Sequence, residues 1–156
     1  MKRFIDLIEE CKQHVDEVFP WDVEEMQQAN SELMLLDVRE PHEYDTMHVE
    51  KSFSAPRGVL ETCCEFDFDE TIPQLAAGRE KQILVICRSG NRSLLAARTM
   101  QLMGFQKVHS LKTGLRGWNE SDLPLIDKDG NEIDPEDGDE FFATKLRPEQ
   151  MDPSRG

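Results

Sequence analysis

Short, unbroken apolar runs alternate along this chain with stretches whose apolar residues recur every three or four positions. Leu33-Met34-Leu35-Leu36-Asp37-Val38 and Ile83-Leu84-Val85-Ile86 are too short for helices and read as buried strands. Lys107 to Leu111 predicts another strand, and Ser52 to Ala55 a further one, stopped by Pro56. Phe4, Ile5, Leu7, Ile8, Cys11, Val15 and Val18 recur at helical spacing, so residues 3–13 predict an amphipathic helix. Val15 to Phe19 reads equally well as the start of a strand. Asp22 predicts an N-cap for a short helix to about Ala29, with Glu25 as its capping-box partner. Leu94 to Met103 predicts a helix closed by Gly104. Shorter helical turns are expected at Pro41–Tyr44, Arg57–Glu61, Pro73–Ala77 and Gly114–Asn119. Strands alternating with helices imply parallel βαβ units in an α/β domain. No repeat at a solenoid period interrupts that picture.

Charge divides the chain unevenly. Residues 1–118 hold 20 acidic and 14 basic residues, a net of −6, whereas residues 119–156 hold 12 and 4, a net of −8. More than half of the −14 total therefore lies in the last quarter. This predicts three parts: an amphipathic helical extension over 1–13, an α/β domain over 14–126, and a loosely ordered acidic tail over 127–156. Phe141-Phe142 is the apolar spot in that tail, available to pin it down or to meet a partner. The net negative charge argues against nucleic acid and anionic membranes as partners. No apolar run approaches the roughly 20 residues that a membrane span requires. Asp6, Glu9 and Glu10 break any secretory core near the amino end. Cys11, Cys63, Cys64 and Cys87 form no CxxC pair and no zinc spacing. A reduced, cytoplasmic setting without metal or cofactor is the resulting expectation.

The candidate chemistry lies at Cys87-Arg88-Ser89-Gly90-Asn91-Arg92-Ser93, between the Ile83 strand and the Leu94 helix. Strand, glycine-containing loop and helix together place a cysteine where open helix amides gather. Such donors favour a negative sulfur. Gly90 allows the backbone turn that lets successive N–H groups converge, and Arg88 and Arg92 add positive charge. This composition suits anion capture better than core packing, and it predicts a nucleophilic Cys87 acting on a small oxyanion. Tyrosine phosphatases place the loop arginine one residue further on, where this chain has Ser93. The shorter cradle points toward attack on sulfur.

The loop closely resembles the active-site loop of rhodanese sulfurtransferases. Leu36-Asp37-Val38-Arg39-Glu40-Pro41-His42-Glu43-Tyr44 is similar to that family's amino-terminal signature. Gly114-Leu115-Arg116-Gly117-Trp118 is similar to its carboxyl-terminal one. The resemblance implies a five-stranded parallel sheet flanked by helices on both faces. It also implies a double displacement, in which Cys87 takes sulfur from thiosulfate or a persulfide donor. The Cys87 persulfide then passes it to cyanide or a thiol acceptor. Arg88, Ser89, Gly90, Asn91, Arg92 and Ser93 would bind the donor. A sulfur carrier that hands its persulfide to a protein acceptor, with little free turnover, is the alternative. An arsenate-reducing or phosphatase relative is a third, which the short loop disfavours. Met47-His48-Val49 and Lys51 to Pro56 lack glycines that the family usually carries, which affects the scaffold rather than the chemistry.

Other residues read as structural. Asp37 and Arg39 suggest a buried pair, His42 and His48 scaffold residues, and Trp118 a core residue. In relatives the segment from Pro56-Arg57-Gly58 approaches the site. Cys63 or Cys64 as resolving thiols, and Arg57 as a source of positive field, therefore stand beside plain packing. Asp127-Lys128-Asp129-Gly130-Asn131 fails as a calcium loop, because Glu132 and Gly138 occupy the positions that need glycine and glutamate.

Overall fold

A computed structural model describes residues 1–155. Five strands form one all-parallel sheet in the order β1-β5-β4-β2-β3: β1 Asp16–Val18, β2 Met34–Asp37, β3 Phe53–Ser54, β4 Gln82–Ile86 and β5 Lys107–Leu111. The central β4 lies between β2 and β5, with Leu36 opposite Val85 and Val85 opposite Ser110. Strands covered on both faces must be apolar on both, which explains the unbroken runs. Leu36, Ile83, Val85 and Cys87 face one layer, while Leu35, Leu84 and Ile86 face the other.

The first layer holds α1 Phe4–Lys12, α4 Leu60–Cys63, α5 Pro73–Ala76 and α6 Asn91–Leu102. Ile8 and Cys11 bring α1 into this core, against α6. The second layer holds α2 Val23–Ala29 and α7 Gly114–Glu120, joined by α8 Pro135–Phe142. Between β2 and β3, α3 Pro41–Thr46 starts with Pro41 at its first turn and a Glu40–Glu43 capping box.

Two sequence expectations are corrected. Asp22 precedes α2 but makes no side-chain cap, because the 3-10 turn Pro20–Asp22 runs straight into the helix and leaves Asp22 helical. The segment from 127 onward is not simply a loose tail. Asp134 caps α8 by accepting from the Glu136 amide, and Pro135 occupies the first turn. Phe142 is 1% exposed in the core formed with Leu115 and Trp118. Asn119 donates to the Pro135 carbonyl and the Asp139 carboxylate, which fastens α8 to α7. The Phe141-Phe142 spot thus pins this segment through Phe142, while average acidity hid the helix and its cap.

Candidate active site

Cys87 follows the last residue of β4, at the carboxyl edge of the sheet, where α/β folds gather their ligand sites. Gly90, with φ of +95°, turns the chain into α6. The turn closes over the sulfur: the Gly90 amide donates to Cys87 Sγ at 3.1 Å and the Ser93 amide at 3.3 Å. The Ser93 hydroxyl lies 3.3 Å from Sγ and 2.7 Å from the Ser110 hydroxyl of β5, both buried. On the outer side, the first turn of α7 holds the loop's carbonyls, with the Leu115 amide on Cys87 O and the Arg116 amide on Arg88 O. A side chain at Gly114 would overlap the Arg88 backbone, so the two turns pack only with glycine there. Carbonyls held outward by α7 and amides turned inward to the sulfur make this loop a site for negative charge.

Of the seven loop residues, Gly90 and Ser93 meet the Cys87 sulfur, and the arginines turn to other elements. Arg92 forms a two-pronged pair with Glu43 of α3, at 2.8 and 2.9 Å. Burial pushes the Glu43 carboxyl up, yet the Arg92 hydrogen bond, the Glu40 amide and the charges of Arg92 and Arg39 outweigh it and hold the group at about 2. The same hydrogen bond, against the cost of burial, holds the Arg92 guanidinium above its ordinary range. Arg88 donates to the Phe142 carbonyl at 2.7 Å, at the carboxyl end of α8. Ser89 is exposed and Asn91 half-buried. Both line a pocket of about 200 Å³ beside the loop, with Lys12, Glu17, Lys112 and Thr113. Sequence reasoning missed Glu43, Ser110 and Phe142. Glu43 lay inside the quoted amino-terminal signature and Phe142 in the apolar spot of the tail, though neither was tied to the loop, whereas Ser110 carried no local signal.

The remaining candidates lie elsewhere. Arg39 is fully buried, bonded through Nε and Nη2 to Asp37 and through Nη2 to the Met47 carbonyl. His48 stacks on Tyr44 and bonds its carbonyl, while His42 is exposed. Trp118 donates to the Pro124 carbonyl. The Arg57 amide bonds the Val38 carbonyl, and its Nε is buried without a partner among the described residues. Cys63 and Cys64 are buried free thiols. Arg79 links the Cys64 carbonyl to that of Met103, past the end of α6 that lies farthest from Cys87. A 12-residue helix is about 18 Å long, so this contact belongs to the far end of the domain. Burial, then the neighbouring Cys63, pushes the Cys64 thiol up to about 12. Among the described residues no cluster of metal-ligating side chains forms, and no helix is long and apolar enough to cross a membrane.

Comparison with known proteins agrees with this geometry. The rhodanese-like domain profile matches residues 20–121. A putative sulfur carrier protein, YrkF of Bacillus subtilis, is 34% identical over 90 residues, covering 58% of this chain and 43% of that protein. The thiosulfate sulfurtransferase GlpE of Tolumonas auensis is 29% identical over 86 residues, covering 54% of this chain and 70% of that one. The polysulfide-sulfur transferase homodimer of Wolinella succinogenes superposes with a TM-score of 0.61 at 28% identity, covering 80% of this chain and 88% of that one. The chain thus spans less than half the length of the Bacillus relative. With sheet order, cysteine loop and profile in agreement, this chain belongs to the rhodanese-like domain family of sulfurtransferases and sulfur carriers.

Proposed function

We propose that the protein moves sulfane sulfur through a persulfide on Cys87. The carrying observation is the pair of amides, Gly90 and Ser93, directed at Cys87 Sγ. In this reading the Cys87 thiolate attacks the outer sulfur of thiosulfate or of a persulfide donor. A new S–S bond forms at Cys87, the donor's S–S bond breaks, and sulfite or a thiolate leaves with the electron pair. The amides and the Ser93 hydroxyl, itself supported by Ser110, hold the negative charge before and after transfer. A thiol or cyanide then attacks the outer sulfur and regenerates the Cys87 thiolate.

A second reading is favoured by α8, which ties the Phe142 carbonyl to Arg88 of the loop. In it the domain is a carrier whose persulfide goes to a protein acceptor, and the similarity to YrkF supports this role. Intact mass after incubation with thiosulfate, and separately with glutathione persulfide, tests both. A gain of about 32 Da that cyanide removes, absent from Cys87→Ser, is expected. No gain from either donor on folded protein overturns the persulfide route. Turnover of the intact chain with small acceptors then separates the readings: an enzyme cycles with cyanide or a small thiol, and a carrier keeps its persulfide until a protein acceptor is supplied.

A further inference from the structure

The arrangement of charge around Cys87 bears on which donor the loop accepts. Arg92 carries fixed positive charge within the loop, yet each of its terminal nitrogens donates to an oxygen of Glu43, whose carboxylate offsets that charge. Glu43 is held by more than Arg92, since the Glu40 amide donates to Oε2 at 2.9 Å within the cap of α3. Only 14% of its side chain is exposed, so water weakens the pair little. Arg39, the nearest buried cation, is matched by Asp37 at 2.9 Å. Arg88 keeps its charge but points to the Phe142 carbonyl. Lys12 and Lys112 line a pocket that Cys87 does not, with Lys12 paired to Glu9 and Lys112 over the Phe19 ring. The groups on the sulfur itself are neutral: two amides that donate to it and the Ser93 hydroxyl, which accepts from the thiol.

We propose that Glu43 is a specificity-determining residue. By holding Arg92 it withholds the guanidinium from a sulfonate, and so favours thiol-borne persulfides over thiosulfate as sulfur donors. The inference rests on the sulfur-transfer reading above and names the donor class for that site. Thiosulfate arrives as a dianion and leaves as sulfite, also a dianion, so its transfer calls for a free cation beside the sulfur. A protonated persulfide R–S–SH carries no charge on its two reacting sulfurs, so no sulfonate has to be matched at the loop. The Cys87 thiolate bonds its outer sulfur, the donor's S–S bond breaks, and RS⁻ departs with the electron pair, leaving Cys87 as S–SH with charge conserved. A carboxylate already seated on the loop's arginine disfavours the dianion while leaving the other donor's chemistry intact, which is selection by exclusion.

Single-turnover persulfide formation on Cys87 tests this, read by mass with thiosulfate and with glutathione persulfide as donors. Wild type is expected to favour glutathione persulfide at least tenfold in kcat/KM. In Glu43→Gln the carbonyl oxygen can still accept from the Glu40 amide, but the charge on Arg92 is released. The thiosulfate-to-persulfide ratio should then rise at least tenfold, with the gain in the KM for thiosulfate. Damage to the fold would lower both donors together and leave the ratio still. Thiosulfate as the better donor of wild type overturns the proposal without any variant. An unchanged ratio in a Glu43→Gln variant that keeps its wild-type rate with glutathione persulfide overturns it as well. Failure of both donors on wild type rejects the sulfur-transfer reading itself, and this inference with it.

Discussion

Cys87 and Cys64 are buried alike, at 1% and 0% exposure, and their surroundings differ. Around Cys87 the loop folds inward so that two amides and a hydroxyl meet the sulfur, with α7 holding the carbonyls away. Around Cys64 there is apolar packing with Leu60 and Leu75, and burial pushes the thiol up to about 12. A buried cysteine is therefore inert or reactive according to where the nearest N–H groups point, and burial alone says nothing of function. Residue type does not separate the two sites, whereas backbone geometry does.

The sharpest way to break this contrast is to exchange the roles. Cys87→Ser should lower sulfur transfer by more than ~10³-fold, because no other thiol stands on the donors. Cys64→Ala should leave transfer within about twofold and cost about 1–2 kcal/mol of stability from the small cavity. Persulfidation rates and urea midpoints on the two variants measure this. Equal loss of transfer in both would dissolve the distinction.

Next in size is the strap that reaches the loop from α8. Phe142→Ala should cost about 3–5 kcal/mol, since Phe142 fills the core beside Leu115 and Trp118. Hydrogen exchange should quicken in α8 and at Arg88, and stay slow around Cys63 and Cys64. A uniform change across the domain would show that α8 has no local hold on the loop.

The alkaline limb of stability sharpens the other side. The unfolded Cys64 thiol ionises near its ordinary 9.0, but the folded one only near 12. The unfolded chain therefore releases its proton first as pH rises. Stability from the protonated thiol is full below pH 9 and falls from there toward 12. Cys64→Ala should flatten that part of the slope in denaturant titrations, and an unchanged slope would mean the thiol is not held protonated. The smallest effect belongs to Asp134→Ala, which removes the α8 cap at about 1 kcal/mol, read as faster exchange at Glu136.

Much of this was legible in the linear sequence because short-range physics wrote it there. The runs Leu33–Val38 and Ile83–Ile86 had to be buried strands, and the Cys87–Ser93 loop announced itself between strand and helix. What stayed hidden was long-range. Arg92 and Glu43 are 49 residues apart, and Arg88 and Phe142 are 54 apart, so no window joins them. Arginines expected to face a donor therefore turned out to face the protein. At α8 the Phe141-Phe142 pair marked a place where the tail could be pinned, but ten acidic residues between 119 and 140 left the helix and its Asp134 cap unread. Cys63 and Cys64 were drawn toward the loop by proximity in sequence to Arg57, whereas Arg79 fixes Cys64 to the distant end of α6.

The most direct test of the central claim locates the transferred sulfur among the four thiols. Wild-type protein is treated with glutathione persulfide, digested under conditions that preserve persulfides, and its cysteine peptides are weighed. A gain of about 32 Da is expected on the Cys87 peptide alone, with Cys11, Cys63 and Cys64 unmodified in the folded protein and reactive once it is unfolded. Sulfur on the Cys63-Cys64 peptide of folded protein, at a level comparable to Cys87, would contradict it.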